Sequence, residues 1–363
     1  MKASGIGGQA VLEGIMMRNK DKYSVAVRKP DKEIIVDIKN CKDTSKRCKL
    51  FKLPFIRGIF NFVDSLVIGI KTLTYSAEFY EDEEEVVEKP VDKVTRTVFK
   101  EKAESFLMGI TVLVSILFSV LLFIVSPYFI SELLKNTINI RSNTILAIVE
   151  GILRIIIFIL YMFLISRMKD IQRTFMYHGA EHKCINCIEH GFELNLENVK
   201  ASSRIHKRCG TSFLFFVMFI SIVCFILVSA LLPKDISVLV KVITRLLLVP
   251  IIAGISYEIL RAAGKHDNFL LNIISKPGMW MQKLSTKEPD DDMIEVGIKA
   301  VEAVFDWQEF LEENKEEFGR NENSKTNEAA MEDDDNDFGI DRIAVDFDDD
   351  DDDISEFKSK ADM

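Results

Sequence analysis

Residues 213–232 have the sequence FLFFVMFISIVCFILVSALL, which contains no charged side chain. A helix rises about 1.5 Å per residue, so a run of this length can cross the roughly 30 Å hydrocarbon core of a bilayer. Long apolar runs also occupy residues 106–130, 145–165 and 236–260. We therefore predict a mainly α, polytopic membrane protein with four transmembrane helices, of which the last is the least apolar.

The distribution of basic residues predicts the orientation of these helices. The loop at residues 166–211 contains eight lysines and arginines, whereas the loops on the opposite side contain few. Basic loops tend to stay in the cytoplasm. We expect a multi-pass protein of the plasma membrane with both termini and this loop in the cytoplasm, and we recognise no secretory signal peptide.

Residues 1–52 are predicted to form a soluble N-terminal region with a β-hairpin. Apolar and polar residues alternate over residues 23–29 and again over residues 33–39, and turn-forming residues separate the two stretches. Residues 5–8 are rich in glycine. They indicate a flexible, tightly turned entry, with close approach of the backbone to a ligand as the alternative.

Four further regions complete the predicted organisation. Residues 53–80 are apolar but interrupted by charges, which favours an amphipathic helix on the membrane surface or a re-entrant segment over a fifth span. Residues 81–105 are predicted to be an acidic linker and pre-membrane segment, and residues 261–312 a cytoplasmic helical region with an apolar stripe. Residues 313–363 are predicted to be a disordered acidic tail that could attract a basic partner.

The net charge of −10 comes mostly from this tail. The rest of the chain has no basic face of the kind that binds nucleic acid, so the expected partner is the lipid bilayer.

Charged residues inside the apolar runs are expected to pair with one another. Glu150 and Arg154 lie one helical turn apart in the second run, and Lys241 and Arg245 do so in the fourth. Isolated charges at such depths cost several kcal/mol. We predict that Glu150 pairs with Arg245 or Lys241 as a structural clamp between helices. A solute or proton path is the alternative.

The chemistry of the chain is concentrated in the loop at residues 166–211. Four of the five histidines lie between residues 178 and 206. His178 and His182 are four residues apart, so on a helix both imidazoles project from one face and can bind one Zn²⁺. With Glu181 they form the pattern His-x-x-Glu-His, in which the glutamate can act as general base on a metal-bound water.

Three interpretations of this loop remain open. The first is an open site formed by His178 and His182 with either His206 or Cys209, and with Glu181 as base. The second is a closed structural site formed by four ligands, Cys184, Cys187, His206 and Cys209. The third has no metal at all. Glu258, near the cytoplasmic end of the fourth run, is a candidate additional ligand or partner of a histidine.

Four separate motifs resemble those of the YqhQ-like family of bacterial membrane proteins. They are GGQAVLEGIMMR at 7–18, HGAEHK at 178–183, RCGTSF at 208–213 and KEPDD at 287–291. The resemblance implies a membrane protein that is a predicted metal-dependent enzyme without an established activity. It maps the family's histidine motif onto His178, Glu181 and His182, and its second motif onto His206 and Cys209. Glu13 belongs to the first motif, whereas Cys184 and Cys187 lie outside all four.

We therefore expect a divalent metal, zinc by ligand type, and a membrane-embedded hydrolase with Glu181 as its base. A non-catalytic scaffold or regulator with a structural metal site, or with none, is the alternative, and a transporter is the third possibility. The sequence indicates no substrate. It contains no phosphate-cradling Walker loop and no serine nucleophile elbow.

Overall fold

A computed structural model describes residues 2–41, 53–80, 93–138, 142–206, 208–231, 237–263 and 269–318. Over these residues the chain is mostly helical, with one small antiparallel sheet near the N-terminus. This confirms the predicted fold class at that level. Residues 81–92 of the predicted acidic linker and pre-membrane segment lie outside the described residues, and its remainder, residues 93–105, belongs to a helix. Residues 319–363, most of the predicted acidic tail, also lie outside the described residues.

The sheet contains four strands in sequence order, β1 (Gly7–Val11), β2 (Gly14–Asn19), β3 (Lys22–Arg28) and β4 (Ile34–Asn40). The predicted hairpin corresponds to β3 and β4. The glycine-rich segment, which was expected to be a turned entry, instead contributes Gly7 and Gly8 to the edge strand β1. Strand β2 lacks an alternating pattern because its first four residues are all buried, so both of its faces are covered.

The helices follow in the order α1 (Ile56–Ala77), α2 (Lys93–Val120), α3 (Ser126–Ile138), α4 (Asn143–Ser166), α5 (Lys169–Glu189), α6 (Leu196–Ala201), α7 (Gly210–Leu231), α8 (Val238–Ala263), α9 (Phe269–Ser285), α10 (Asp291–Glu302) and α11 (Trp307–Glu313). A five-residue π-helical turn, Leu121–Val125, joins α2 to α3 without a break.

Four helical segments are long and apolar enough to cross a membrane, namely Gly109–Lys135, Thr144–Ser166, Gly210–Val228 and Leu239–Ala262. They agree with the four predicted runs, and each begins or ends within a few residues of the predicted position. The first continues from α2 through the π-helical turn into α3. Helix α7 packs against both α4 and α8, so these segments form a bundle.

A charge cluster holds α4 against α8 inside this bundle. Arg245 Nε donates to Glu150 Oε1 at 2.9 Å, and Arg154 Nη2 donates to the same oxygen at 3.0 Å. The structure thus pairs Glu150 with Arg245, whereas Lys241 contributes only its carbonyl oxygen. Arg154 also donates to the carbonyl of Phe123 in the π-helical turn. The cluster therefore ties three helices together and leaves one net positive charge.

Helix α1 packs against α8 and the edge strand β1. A Cβ at Gly58 would lie 2.8 Å from Cβ of Tyr257 on α8, which explains the close contact of the two helices. Arg57 binds the carboxylate of Glu258 through two nitrogens, and Arg18 of β2 pairs with Asp64 at 3.0 Å. Two of the charges that interrupt this apolar segment, Arg57 and Asp64, are therefore satisfied by ion pairs with its neighbours.

The main core lies between the sheet, α5 and α10. Helix α10 packs on α5, β2 and β3, and the predicted helical region at residues 261–312 is divided into α9, α10 and α11. The residues that fill the core are almost fully buried and come from all of these elements: Ile15, Met17, Tyr177, Ile185, Ile188, Met293 and Ile294. This core fixes α5, the helix that carries the histidine motif.

Candidate metal centre

Helix α5 runs without interruption through the His-x-x-Glu-His motif, although it contains Gly179. A Cβ at this position would lie 2.1 Å from the carbonyl oxygen of Lys287. Only glycine therefore lets the segment after α9 cross the helix so closely. The low helix propensity of glycine is offset here by packing, and the crossing brings the end of α9 against the motif.

Both imidazoles of the motif are oriented by backbone carbonyls. His178 Nδ1 lies 2.8 Å from the carbonyl oxygen of Ser285, and His182 Nδ1 lies 2.6 Å from that of Arg204. A carbonyl oxygen only accepts hydrogen bonds, so each Nδ1 carries the proton and donates it. In this tautomer the Nε2 of the neutral ring has its lone pair towards a ligand, the arrangement found in metal-binding histidines. The two ring centroids are 4.4 Å apart.

Cys209 supplies a third donor from the residue before α7. Its Sγ lies 3.3 Å from His178 Nε2, and it accepts the N–H of Thr211 at 3.4 Å. The ligand atoms of His178, His182 and Cys209 all lie within 4.8 Å of one another. Nitrogen and sulfur ligands of a tetrahedral zinc stand about 3.5 Å apart, given bond lengths of about 2.0 and 2.3 Å. The three donor atoms could therefore hold a metal ion.

The carboxylate of Glu181 lies beside these donors. Its Oε2 is 3.8 Å from His178 Nε2 and 3.9 Å from His182 Nε2. Burial raises the pKa of Glu181, and this outweighs the opposing influence of His178 and of a hydrogen bond from the Gly8 N–H. A Cβ at Gly8 would lie 2.8 Å from Glu181 Cγ. The edge strand thus reaches the carboxylate only because residue 8 is glycine.

His206 lies next to the cluster but is bound elsewhere. Its ring centroid is 5.7 Å from that of His182, and its Nε2 lies 3.3 Å from Oε2 of Glu189. Arg208 and both polar groups of Ser4 also donate to Glu189, which is fully buried. Burial alone raises the pKa of Glu189, but the hydrogen bond from His206, the charge of Arg208 and the hydrogen bonds from Ser4 lower it to about 2. A buried carboxylate therefore holds His206 away from the other ligands.

Cys184 and Cys187 do not join the centre in the described part of the chain. Cys184 is fully buried against Gly297 of α10, and burial raises its pKa strongly. Cys187 Sγ donates to the carbonyl of Glu193 at 3.3 Å, and burial raises its pKa to about 11. Metal ligation requires a thiolate. Both cysteines are therefore core residues, and the closed four-ligand site is not formed.

Two predicted candidates belong to ion pairs outside the cluster. Glu258 is bound by Arg57, because the close contact between α1 and α8 brings their charges together. Glu13 is bound by two nitrogens of Arg173 and accepts the hydroxyl of Tyr177 at 3.2 Å. Glu13 thus joins the turn between β1 and β2 to α5, one helical turn before His178.

A cavity of about 770 Å³ opens directly onto the centre. The donors His178, His182 and Cys209 line it together with Glu181. Its other walls come from the sheet, α1, the beginning of α7 and the end of α8. The cluster is therefore open to a ligand on the side of the cavity.

Several residues that shape the centre carry no signal in the sequence. Ser285 and Arg204 act through backbone carbonyls, so their side chains give no indication of the role. Gln282 holds the segment before Cys209 by bonding both the N–H and the carbonyl of His206. Gly8 is the one such residue whose role the sequence indicated. The alternative interpretation of residues 5–8 was that glycine allows close approach of the backbone to a ligand.

Comparisons with known proteins show which proteins this chain resembles. A family model described as protein of unknown function (DUF1385) matches residues 53–307. The "Uncharacterized protein YqhQ" of Bacillus subtilis (strain 168) is 34% identical over 315 residues, which cover 85% of this chain and 95% of that protein. No solved structure matches the chain significantly.

Proposed function

We propose that this chain, which belongs to the DUF1385 family of proteins of unknown function, is a membrane protein with a zinc-type centre and acts as a metal-dependent hydrolase. The observation that supports this most strongly is the convergence of the donor atoms of His178, His182 and Cys209 within 4.8 Å. Each of the two imidazoles is oriented from its far side by a carbonyl, so the donors are ordered independently of a ligand.

Three protein ligands beside an open cavity favour a catalytic site over a structural one. Structural zinc sites have four protein ligands, whereas catalytic sites keep one position for water or substrate. A divalent metal bound here would polarise a substrate oxygen and make its bound water more acidic.

The residues of the chain supply the remaining chemistry. Oε2 of Glu181 lies 3.8 Å from His178 Nε2 and 3.9 Å from His182 Nε2, a separation that one water molecule can bridge. Its raised pKa makes it a stronger base than an exposed glutamate, which suits it to accept a proton from a water molecule at the wall of the cavity. We assign Glu181 the role of general base.

One observation supports the alternative of a structural metal in a non-catalytic scaffold. The ring of His206 is 5.7 Å from that of His182, so a small rearrangement that broke its contact with Glu189 could supply a fourth protein ligand. A transporter is less well supported, because Glu150 is enclosed by two arginines that are themselves nearly buried.

Metal analysis of the detergent-purified full chain tests the proposal. We expect about one zinc per chain, lost in the variant His178→Ala/His182→Ala. His190→Ala is the matched control, since it removes an exposed imidazole from the end of the same motif-bearing segment. Unchanged zinc content in the double variant would remove the proposed mechanism.

Cobalt substitution separates the catalytic site from the structural one. If one coordination position is open, added azide changes the visible spectrum of the cobalt-loaded protein. A spectrum that azide leaves unchanged favours full coordination by the protein and hence the scaffold. Glu181→Gln is expected to keep the metal, because this residue is assigned the role of base rather than ligand.

A further inference from the structure

The cavity beside the metal centre is lined by more basic than acidic side chains. Arg18, Lys20, Arg208 and Arg261 line it, and Glu181 is the one carboxylate among its described lining residues. The cations come from three parts of the fold, because two belong to the sheet and its turn, one precedes α7 and one lies near the end of α8. An anion in the cavity would therefore meet positive charge from several sides.

These four cations differ in whether a carboxylate binds them. Arg18 is paired with Asp64 and Arg208 with Glu189. Neither Lys20 nor Arg261 forms an ion pair within 4 Å with any carboxylate of the described residues. Glu258, about one turn before Arg261 on α8, also attracts Arg261, but its carboxylate is hydrogen-bonded by Arg57. A ligand with two negative charges would compensate Lys20 and Arg261 together.

The position of the cavity relates it to the membrane surface. Gly210 is the first residue of α7, Arg261 lies near the end of α8, and both line the cavity. It therefore lies at the ends of two helices that are long and apolar enough to cross a bilayer. Helix α1 contributes Ser65 and Ile68 to its wall.

The opposite face of α1 exposes a row of large apolar side chains, each at least 40% exposed: Val63, Leu66, Val67, Ile70 and Leu73. A helix with one apolar exposed face and one face packed on protein is typical of the membrane interface. A ligand in the cavity would then be within reach of the lipid headgroups.

We propose that this cavity binds the phosphate group of its ligand between Lys20 and Arg261, next to the metal centre. Arginine and lysine bind phosphate through charge-assisted hydrogen bonds, and a phosphate monoester carries close to two negative charges at neutral pH. The cavity volume of about 770 Å³ exceeds that of a phosphate ion and accommodates a headgroup-sized molecule. The binding of this ligand does not depend on the proposed function, but its identification as the substrate does.

Calorimetric titration of the detergent-purified full chain tests this proposal. The probes are dihexanoyl phosphatidic acid, inorganic phosphate, and dihexanoyl phosphatidylcholine as a zwitterionic control. We expect saturable binding of phosphatidic acid that weakens about tenfold or more in Lys20→Gln/Arg261→Gln, because two charged hydrogen-bond donors are lost. The variant Lys22→Gln/Arg167→Gln removes the same two charge types from exposed positions that do not line the cavity, and it should bind like wild type.

The outcomes distinguish the source of the phosphate. Binding of phosphatidic acid without inorganic phosphate indicates a lipid headgroup, and binding of both indicates that the phosphate group alone suffices. The proposal is overturned if neither probe binds, if phosphatidylcholine binds as tightly as phosphatidic acid, or if both double variants lose affinity equally. Zinc content measured in the same samples separates this result from the metal proposal. Lys20→Gln/Arg261→Gln should keep its zinc, and His178→Ala/His182→Ala should keep the difference between phosphatidic acid and phosphatidylcholine.

Discussion

Glu150→Gln should destabilise the helix bundle far more than its small change in volume suggests. The carboxylate lies between Arg154 and Arg245, and all three side chains are nearly buried. At an effective dielectric constant of about 20, each unit charge about 4 Å away contributes about 4 kcal/mol. The substitution removes two such attractions and leaves two guanidinium groups facing each other.

Part of this loss is recovered because a neutral amide costs less to bury than a carboxylate. The expected net loss in the free energy of unfolding is about 3–5 kcal/mol, the range seen when one partner of a buried pair is removed. Denaturation in mixed micelles of detergent and sodium dodecyl sulfate, followed by far-ultraviolet circular dichroism, measures this difference.

Two further variants make the test specific. Glu132→Gln on α3 is the same chemical change in a pair whose side chains are 32% and 35% exposed, so it should cost at most about 1 kcal/mol. Arg245→Gln should cost less than Glu150→Gln, because it leaves Glu150 paired with Arg154 and removes the excess positive charge. The electrostatic reasoning fails if Glu150→Gln and Glu132→Gln are equally stable. It also fails if Arg245→Gln lowers the free energy of unfolding more than Glu150→Gln does.

Two predictions concern the surroundings of the metal centre. Gly8→Ala should lower the free energy of unfolding by about 1–3 kcal/mol, since its Cβ would lie 2.8 Å from Glu181 Cγ. A Cβ at Gly7 would contact no other heavy atom within 4 Å, so Gly7→Ala should change thermal stability little. The pKa of Glu189, held at about 2 in the folded chain, lies below its unfolded value of about 4.3. The ionised carboxylate of Glu189 therefore stabilises the fold above about pH 4.3. On the order of 3 kcal/mol of this stabilisation is lost as the pH falls towards 2. Stability measured over this range should fall less steeply in Glu189→Gln than in wild type, and a wild-type slope in that variant would contradict the assignment. The exposed-site control Glu193→Gln should keep the wild-type slope.

The long helices could be predicted because their signal is local. An unbroken apolar run such as residues 213–232 specifies a long apolar helix whatever surrounds it. The strands β1 and β2 could not be predicted in the same way. The first four residues of β2 are buried, so the alternation that marks a half-exposed strand is absent, and their burial depends on α5 and α10, which are far away in the sequence.

The same distinction applies to the candidate site. The spacing of His178 and His182 predicted that they share a helix face, and their Nε2 atoms do converge. The choice between His206 and Cys209 as the third donor could not be made from spacing, because the two residues are only three positions apart. The two residues differ in position because the buried carboxylate of Glu189 binds His206. The sequence does not show that Glu189 is buried.

A buried carboxylate is stable only if charges and hydrogen bonds compensate it. Glu189 meets this need with His206 and Arg208, which precede α7 and are held against it. Cys209 follows immediately, just before the N-terminus of α7, and its sulfur accepts the Thr211 N–H at 3.4 Å. Because Glu189 binds both His206 and Arg208, the thiol of Cys209 is the side chain of this segment that contacts His178. Which side chains converge at the candidate metal centre therefore depends on Glu189, which orders the segment before α7, as well as on the His-x-x-Glu-His motif.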